Sequence, residues 1–332
     1  MKISILGAGA WGTALAISLA KQHEVSLWVR DAAQAKALNA QRENTRYLPG
    51  CALPPSLRID ADLAAATQGS ELHIIATPLS GLRETLHLLG ALSGPHKAVP
   101  LLWVCKGLEA GTMLLPHQIV QAELGENVLC GALTGPSFAE EVAHDLPTAI
   151  TLASSNIEFA QATALAIHSN RLRIYANDDV IGAEIGGAVK NVMAIASGIS
   201  DGLGLGLNAR AALISRGLAE ITRLGLALGG KRETLMGLAG MGDLILTCTG
   251  DLSRNRRVGL ALARDLPLPQ ILRELGHTAE GVSSAKEVAA LADKMNIDMP
   301  ITRAVKSVLY DDVAAGQAVE ELLGRDPKLE SL

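Results

Sequence analysis

A chain of 332 residues that is 48% apolar and 19% charged has length for roughly two or three domains and can bury large cores. With aromatics at only 2%, Ala, Leu, Ile and Val must fill those cores. A formal net charge of −5 excludes a general attraction to nucleic acid or anionic lipid, so any phosphate must be held by a local basic pocket.

Residues 3–6 are a short apolar run that ends in Gly7-x-Gly9-x-x-Gly12, and a helical pattern over 10–21 follows at once. Strand, glycine turn and helix in register are what a dinucleotide-binding turn requires. Gly7 permits the tight turn, Gly9 lets a pyrophosphate approach the backbone, and Gly12 lets helix and strand pack closely. Residues 24–30 read as a second strand, with Asp31 placed to cap the next helix. Residues 44–50 are rich in breakers and read as a loop. Strands are expected at 57–59, 72–78, 99–105, 127–133, 148–153 and 172–175, with Asp60 or Asp62 opening a helix between the first two. Near-continuous apolar strands spaced by helices predict a parallel sheet covered on both faces. Ligands then bind beyond the carboxyl ends, where Gly7, Arg30, Thr77, Lys106 and Gly135 fall. From about Asp178 helical periodicity takes over, at 181–200, 209–228, 259–264, 282–295, 301–310 and 319–323. The expected fold is α/β: a Rossmann-like doubly wound sheet over 1–178, then an all-α domain over 179–332, the two sharing a large interface.

The four cysteines show no CxxC and no metal spacing, so no metal site is expected, and the thiols read as inert in a reducing compartment. The start of the chain enters a strand directly and leaves no room for a signal peptide. No apolar run of about 18 residues is evident, so no membrane span is expected. These features point to a soluble, cytoplasmic protein. The oligomeric state stays open, with a homodimer among the options.

Three groups of residues stand out beyond the glycine turn. Arg30 ends the second strand, where an arginine can accept the 2′-phosphate of NADP(H). Asp31 beside it keeps NAD(H) open, although a helix cap is its plainer role. Gly186-Gly187-Ala188-Val189-Lys190-Asn191 places two glycines inside an apolar helix, which suggests close approach of another backbone or a ligand. Lys190 one turn on is either a buried lysine with a lowered pKa, usable for proton transfer, or one that snorkels to the surface. Asp243, in Gly240-Met241-Gly242-Asp243, sits in an apolar setting and needs a partner. Ser253 can cap a helix whose first turn carries Arg254, Arg256 and Arg257. Cations there oppose the helix dipole, and a bound phosphate would resolve the conflict, at Arg254 or failing that at Arg256 or Arg257.

Taken in order, GAGAWGTALA, YLPG, CKGLE, GPSFAEE, GGAVKN, GMGDLILTCT and SRNRR resemble the bacterial NAD(P)-dependent glycerol-3-phosphate dehydrogenases over nearly the whole chain. The resemblance implies reversible hydride transfer between NADP(H) or NAD(H) and dihydroxyacetone phosphate / sn-glycerol 3-phosphate, feeding phospholipid synthesis. It implies Lys190 as the proton donor and acceptor. Implied substrate contacts are Lys106, Gly135, Ser137, Lys190, Asp243, Ser253, Arg254 and Asn255. Implied cofactor contacts are Ala10, Trp11, Arg30, Lys106, Ala139, Arg254, Thr278 and Glu280, beside the turn glycines Gly7, Gly9 and Gly12. Its partners would be small-molecule substrates only. Two other readings share the architecture: a dehydrogenase of 3-hydroxy acids or ketoacids, which does not need the SRNRR turn, and a non-enzymatic dinucleotide sensor, which has no use for Lys190.

Overall fold

A computed structural model describes residues 1–92, 99–276 and 279–326. The chain forms two compact units, Met1–Cys105 with Pro116–Val180, and Lys106–Leu115 with Ile181–Leu332. The short segment Lys106–Leu115 therefore belongs with the helices of the second unit, although residues of the first unit flank it on both sides. Its Leu108 and Leu115 lie in the same apolar cluster as Ile185, Val189 and Leu244.

The first unit holds β1 (Lys2–Leu6), β2 (Glu24–Trp28), β3 (Glu43–Asn44), β4 (Leu48–Ala52), β5 (Arg58–Asp60), β6 (Leu72–Ile75), β7 (Leu101–Trp103), β8 (Cys130–Thr134), β9 (Thr148–Ala153) and β10 (Leu172–Asn177). Eight strands make one sheet in the order β10-β9-β8-β7-β6-β1-β2-β5. Ile5, Leu27, Ile74 and Leu102 on one face are 0% exposed, and Leu6, Ile75 and Trp103 on the other are 0 to 1% exposed, so both sheet faces are covered, as strands without polar alternation require. The connections reverse direction at β1: β2 lies on one side and β6 on the other. Leu6 is level with both Trp28 and Ile75, so the loops after these strands open along one edge of the sheet.

Two expectations are corrected here. The sheet is not parallel throughout, because β9 runs antiparallel to β8. The link between them carries only the five-residue helix Ala139–Ala143. At ~1.5 Å per residue that helix is too short to return the chain along the ~17 Å of β8, so β9 starts where β8 ends. Residues 44–50 are also more than a loop, since β3 and β4 pair as an antiparallel hairpin. Its turn is Thr45–Tyr47, where Asn44 Oδ1 accepts from the Tyr47 N–H at 3.3 Å, while the breakers Pro49 and Gly50 lie within β4, the Gly50 N–H donating to Glu43 Oε1 at 2.8 Å. The capping assignments agree with the structure: Asp31 starts helix Ala32–Gln41 and Asp62 starts helix Leu63–Thr67.

The second unit is helical. Helix Val180–Gly202 has the length and mean composition of a membrane span, but Glu184 and Lys190 interrupt its apolar run, in line with the expectation of no span. Moreover, 89% of its apolar window is buried inside the protein, and it serves as the core around which the other helices pack. Small residues set its crossings. A Cβ on Gly186 would lie 2.5 Å from the Ala239 carbonyl, in the π-turn Leu238–Gly242. A Cβ on Gly198 would lie 2.1 Å from the Arg256 carbonyl, and one on Gly259 2.0 Å from the Ile195 carbonyl. At both crossings backbone meets backbone, which any side chain would prevent.

Candidate active site

Lys190 lies one helical turn beyond Gly186, and Asp243 follows directly after the π-turn that Gly186 touches. The two residues therefore meet because the backbones behind them do. Lys190 is 6% exposed and Asp243 1%, so the lysine does not snorkel. The Lys190 ammonium donates to Asp243 Oδ1 and, at 2.9 Å, to Thr247 Oγ1. Thr247 in turn donates to the Asp243 carbonyl at 2.7 Å. Lys106 donates to the other carboxylate oxygen of Asp243 at 2.6 Å. One buried carboxylate is thus clamped between two ammonium groups.

The electrostatics follow from this arrangement. Burial pushes the Lys190 ammonium down and the neighbouring charge of Lys106 pushes it further, while Asp243 resists, leaving its pKa at about 8. Glu280 opens helix Glu280–Lys294 and feels the charges of Arg254, Lys106 and Lys190. Burial nevertheless raises its pKa. With Lys106, Lys190 and Arg254 set against Asp243 and Glu280, this acidic protein holds a locally cationic site, as a phosphate ligand requires.

At the basic turn, Ser253 caps helix Arg254–Leu262, its Oγ accepting from the Arg256 N–H at 3.3 Å. The three arginines differ. Arg256 reaches Asp201 at 3.0 and 2.7 Å and Asp251 at 2.9 Å. Arg257 donates to the Asp251 carbonyl at 3.0 Å. Among the described residues, Arg254 is the arginine of this turn without a hydrogen-bonded acceptor, and it is exposed. The expected conflict between cations and helix dipole is therefore resolved within the chain for Arg256, which is corrected as a fallback anion site, and remains open at Arg254. Asn255 donates to Asn191 Oδ1 at 2.9 Å and accepts from the Gly281 N–H at 3.0 Å. Asn191 is thus engaged by Asn255. Thr278 lies outside the described residues.

The first unit carries the glycine turn. Gly7 has φ +118°, and a Cβ there would lie 2.8 Å from the Ala76 backbone. A Cβ on Gly12 would lie 2.0 Å from the Gly7 carbonyl, whereas one on Gly9 would meet nothing within 4 Å. Helix Ala10–Leu19 begins at Gly9 with no side chain capping it. Open space over an uncapped helix start fits a pyrophosphate, with Ala10 and Trp11 in the first turn. Asn44 pins this turn from the hairpin, donating to the Ala8 carbonyl at 3.0 Å and to Thr13 Oγ1 at 2.8 Å. Gly135 has φ +129°, Ser137 Oγ donates to its carbonyl at 3.1 Å, and Ala139 opens the next helix. Arg30 is solvated, with its side chain 76% exposed and Glu84 at 3.5 Å. Asp31 is occupied as a cap, accepting from the Ala33 N–H at 2.8 Å.

Two participants were not singled out from the sequence. Thr247 stands four residues after Asp243, a spacing that puts both on one helix face and was available as a signal. Asn44 sits among breakers and gave none.

The family model described as NAD-dependent glycerol-3-phosphate dehydrogenase N-terminus matches residues 2–160, and that of the C-terminus matches residues 179–320. The chain is 60% identical over 330 residues to a glycerol-3-phosphate dehydrogenase (NAD(P)+) of Dechloromonas aromatica, covering 99% of each. It is 59% identical to one of Aromatoleum aromaticum, covering 99% of this chain and 100% of that one. Among solved structures, glycerol-3-phosphate dehydrogenase from Coxiella burnetii superposes with a TM-score of 0.93 at 46% identity, covering 98% of this chain and 99% of that one.

Proposed function

Because the chain belongs to the NAD-dependent glycerol-3-phosphate dehydrogenase family, we propose that Lys190, held by Asp243 and Thr247 beside Lys106, is the group that moves the proton in its reaction. The reaction is the reversible interconversion of dihydroxyacetone phosphate and sn-glycerol 3-phosphate with NADP(H) or NAD(H). The observation that carries the assignment is one carboxylate clamped between two ammonium groups, one of them buried with a pKa of about 8.

When bound, the nicotinamide supplies or accepts the hydride at C2. Lys190 as the ammonium gives its proton to the C2 oxygen, and its charge stabilises the alkoxide that develops there. Asp243 and Thr247 aim the ammonium, and Lys106 adds positive field while lowering the cost of proton release. Arg254, with Ser253 and Asn255, grips the substrate phosphate. That remote binding energy positions the reacting carbon. Gly135 and Ser137 are the further substrate contacts. Gly7, Gly9, Ala10, Trp11, Gly12, Arg30, Lys106, Ala139, Arg254, Thr278 and Glu280 hold the dinucleotide, with Arg30 free to meet a 2′-phosphate. The reading extends to a cytoplasmic enzyme that feeds phospholipid synthesis, with a homodimer as the assembly to check by light scattering.

The test is NADPH and NADH oxidation with dihydroxyacetone phosphate by the wild type and by Arg254→Ala, each repeated with unphosphorylated dihydroxyacetone. A charged hydrogen bond is worth about 1.5–3 kcal/mol, so kcat/KM for the phosphorylated substrate is expected to fall ten- to a hundredfold, and far less for the other. Equal losses would show that Arg254 does not read the phosphate.

A further inference from the structure

The cations at the start of helix Arg254–Leu262 do two different jobs, and we propose that Arg256 and Asp201 form a positioning pair that locks the phosphate-gripping turn to the helix of the proton donor. The proposal rests on the reading of Arg254 as the phosphate ligand. Asp201 lies in the last turn of helix Val180–Gly202, where the dipole disfavours a carboxylate, and Arg256 lies in the first turn of its helix, where the dipole disfavours a cation. Neither charge serves its own helix. Each is answered by the other: Arg256 Nε and Nη2 both reach Asp201 Oδ2, at 3.0 and 2.7 Å.

The pair is nearly closed to water, with side chains 12% and 13% exposed, so its coupling is not diluted as a surface pair's would be. Arg210, from helix Gly206–Ala227, joins the same carboxylate at 3.2 Å. Backbone contact between Gly198 and Gly259 brings the two helices together just beside it. Asp201 stands about 16 Å along the helix from Lys190, at ~1.5 Å per residue. Among the described residues Arg254 has no hydrogen-bonded acceptor of its own, so its place relative to Lys190 comes from the backbone of its turn. Arg256, two residues away and tied through Asp201 to the helix that carries Lys190, determines where the phosphate grip stands when C2 must meet the ammonium.

The experiment compares kcat/KM for dihydroxyacetone phosphate and for dihydroxyacetone in D201N, R256Q, the D201N/R256Q double variant and D251N. NADPH affinity is read in parallel by fluorescence titration. At saturating NADPH, set from that titration because Arg254 also meets the dinucleotide, the two single variants are expected to lose roughly tenfold on the phosphorylated substrate and to stay within about twofold on the other. The double variant should lose no more than the worse single one, because the residues act as a unit. D251N should match the wild type, since the Asp251 side chain is 95% exposed. The ratio of the two substrates comes from one preparation, so a smaller folded fraction does not alter it. R256K, which keeps the charge without the fork, should recover part of the ratio lost in R256Q. Equal losses on both substrates, or additive losses in the double variant, would overturn the pair. If Arg254→Ala also fails to discriminate, the phosphate reading has failed; if it discriminates and the pair variants do not, only the positioning role has.

Discussion

Lys190 works under two opposed demands: it must be charged to donate a proton and easily discharged to take one back. A pKa of about 8 meets both near neutrality. Ketone reduction needs the ammonium, so its kcat is expected to fall as pH rises through about 8. Alcohol oxidation needs the free amine, and its kcat should rise over the same range. In Lys190→Ala both limbs should vanish, with kcat lower by about 10²-fold or more and NADPH affinity little changed. A variant turning over near the wild-type rate would remove Lys190 from the role. Arg30 poses a separate question, being solvated with Glu84 at 3.5 Å. Arg30→Ala should weaken NADPH more than NADH in direct titrations, because only NADPH carries the 2′-phosphate. Equal weakening would assign Arg30 to another part of the dinucleotide. The types of the reacting side chains were legible in the sequence, but their pairing was not. Nothing in a linear pattern says that Lys106 and Lys190 share one carboxylate across a separation of 137 and 53 residues from Asp243.

Glycines inside the lysine helix imply close approach of another backbone, and Gly186 meets the Ala239–Gly240 backbone. Gly186→Ala puts a methyl where the Ala239 carbonyl stands, at 2.5 Å, and backbone cannot step aside as a side-chain tip can. We expect a loss of about 1–3 kcal/mol in urea denaturation. A fall in kcat should accompany it, since the displaced π-turn carries Asp243. An unchanged kcat would separate this crossing from the geometry of the site.

A second element depends on an acid at a distance. Glu220, 1% exposed, caps helix Pro300–Tyr310 by accepting from the Ile301 and Thr302 N–H groups at 2.6 and 3.1 Å. Burial raises its pKa to about 7 despite these bonds. A folded value above the unfolded 4.5 means that its stabilising contribution is full below about 4.5 and lost as pH rises through about 7. Glu220→Gln should cost about 1–3 kcal/mol, because its amide N–H faces donors, and should flatten the change in urea midpoint between about pH 5 and 8. The same pH dependence in both proteins would mean that Glu220 stays ionised throughout. Caps at Asp31, Asp62 and Ser253 were readable because each precedes its own helix. Glu220 was not, because it caps a helix 81 residues away.

For the molecule as a whole, the alternation of strand and helix, then helix alone, was open to reading because period and apolar runs are local properties. Strand direction is not local. The reversal at β9 depends on how far a short link reaches, and the hairpin of β3 and β4 depends on pairing that breakers conceal. The excursion Lys106–Leu115 was equally hidden, since Leu108 and Leu115 look like any apolar loop residues until their cluster is known.

That excursion bears on how such a protein can be divided or inherited. The chain passes between the compact units at Cys105–Lys106, Leu115–Pro116 and Val180–Ile181. The piece 179–332, made alone, would carry Lys190 and Asp243 but leave one carboxylate oxygen of Asp243 without Lys106, and its apolar cluster without Leu108 and Leu115. Expressed by itself it should be insoluble or melt without a sharp transition, and co-expression with 1–178 should restore a cooperative melt and turnover. A sharp melt of the lone piece would show that those two leucines are dispensable. Recombination that swaps everything after residue 178 therefore exchanges only part of the helical unit, so a donor's late segment must accept a recipient's Lys106–Leu115, and that ten-residue stretch limits which relatives can trade halves.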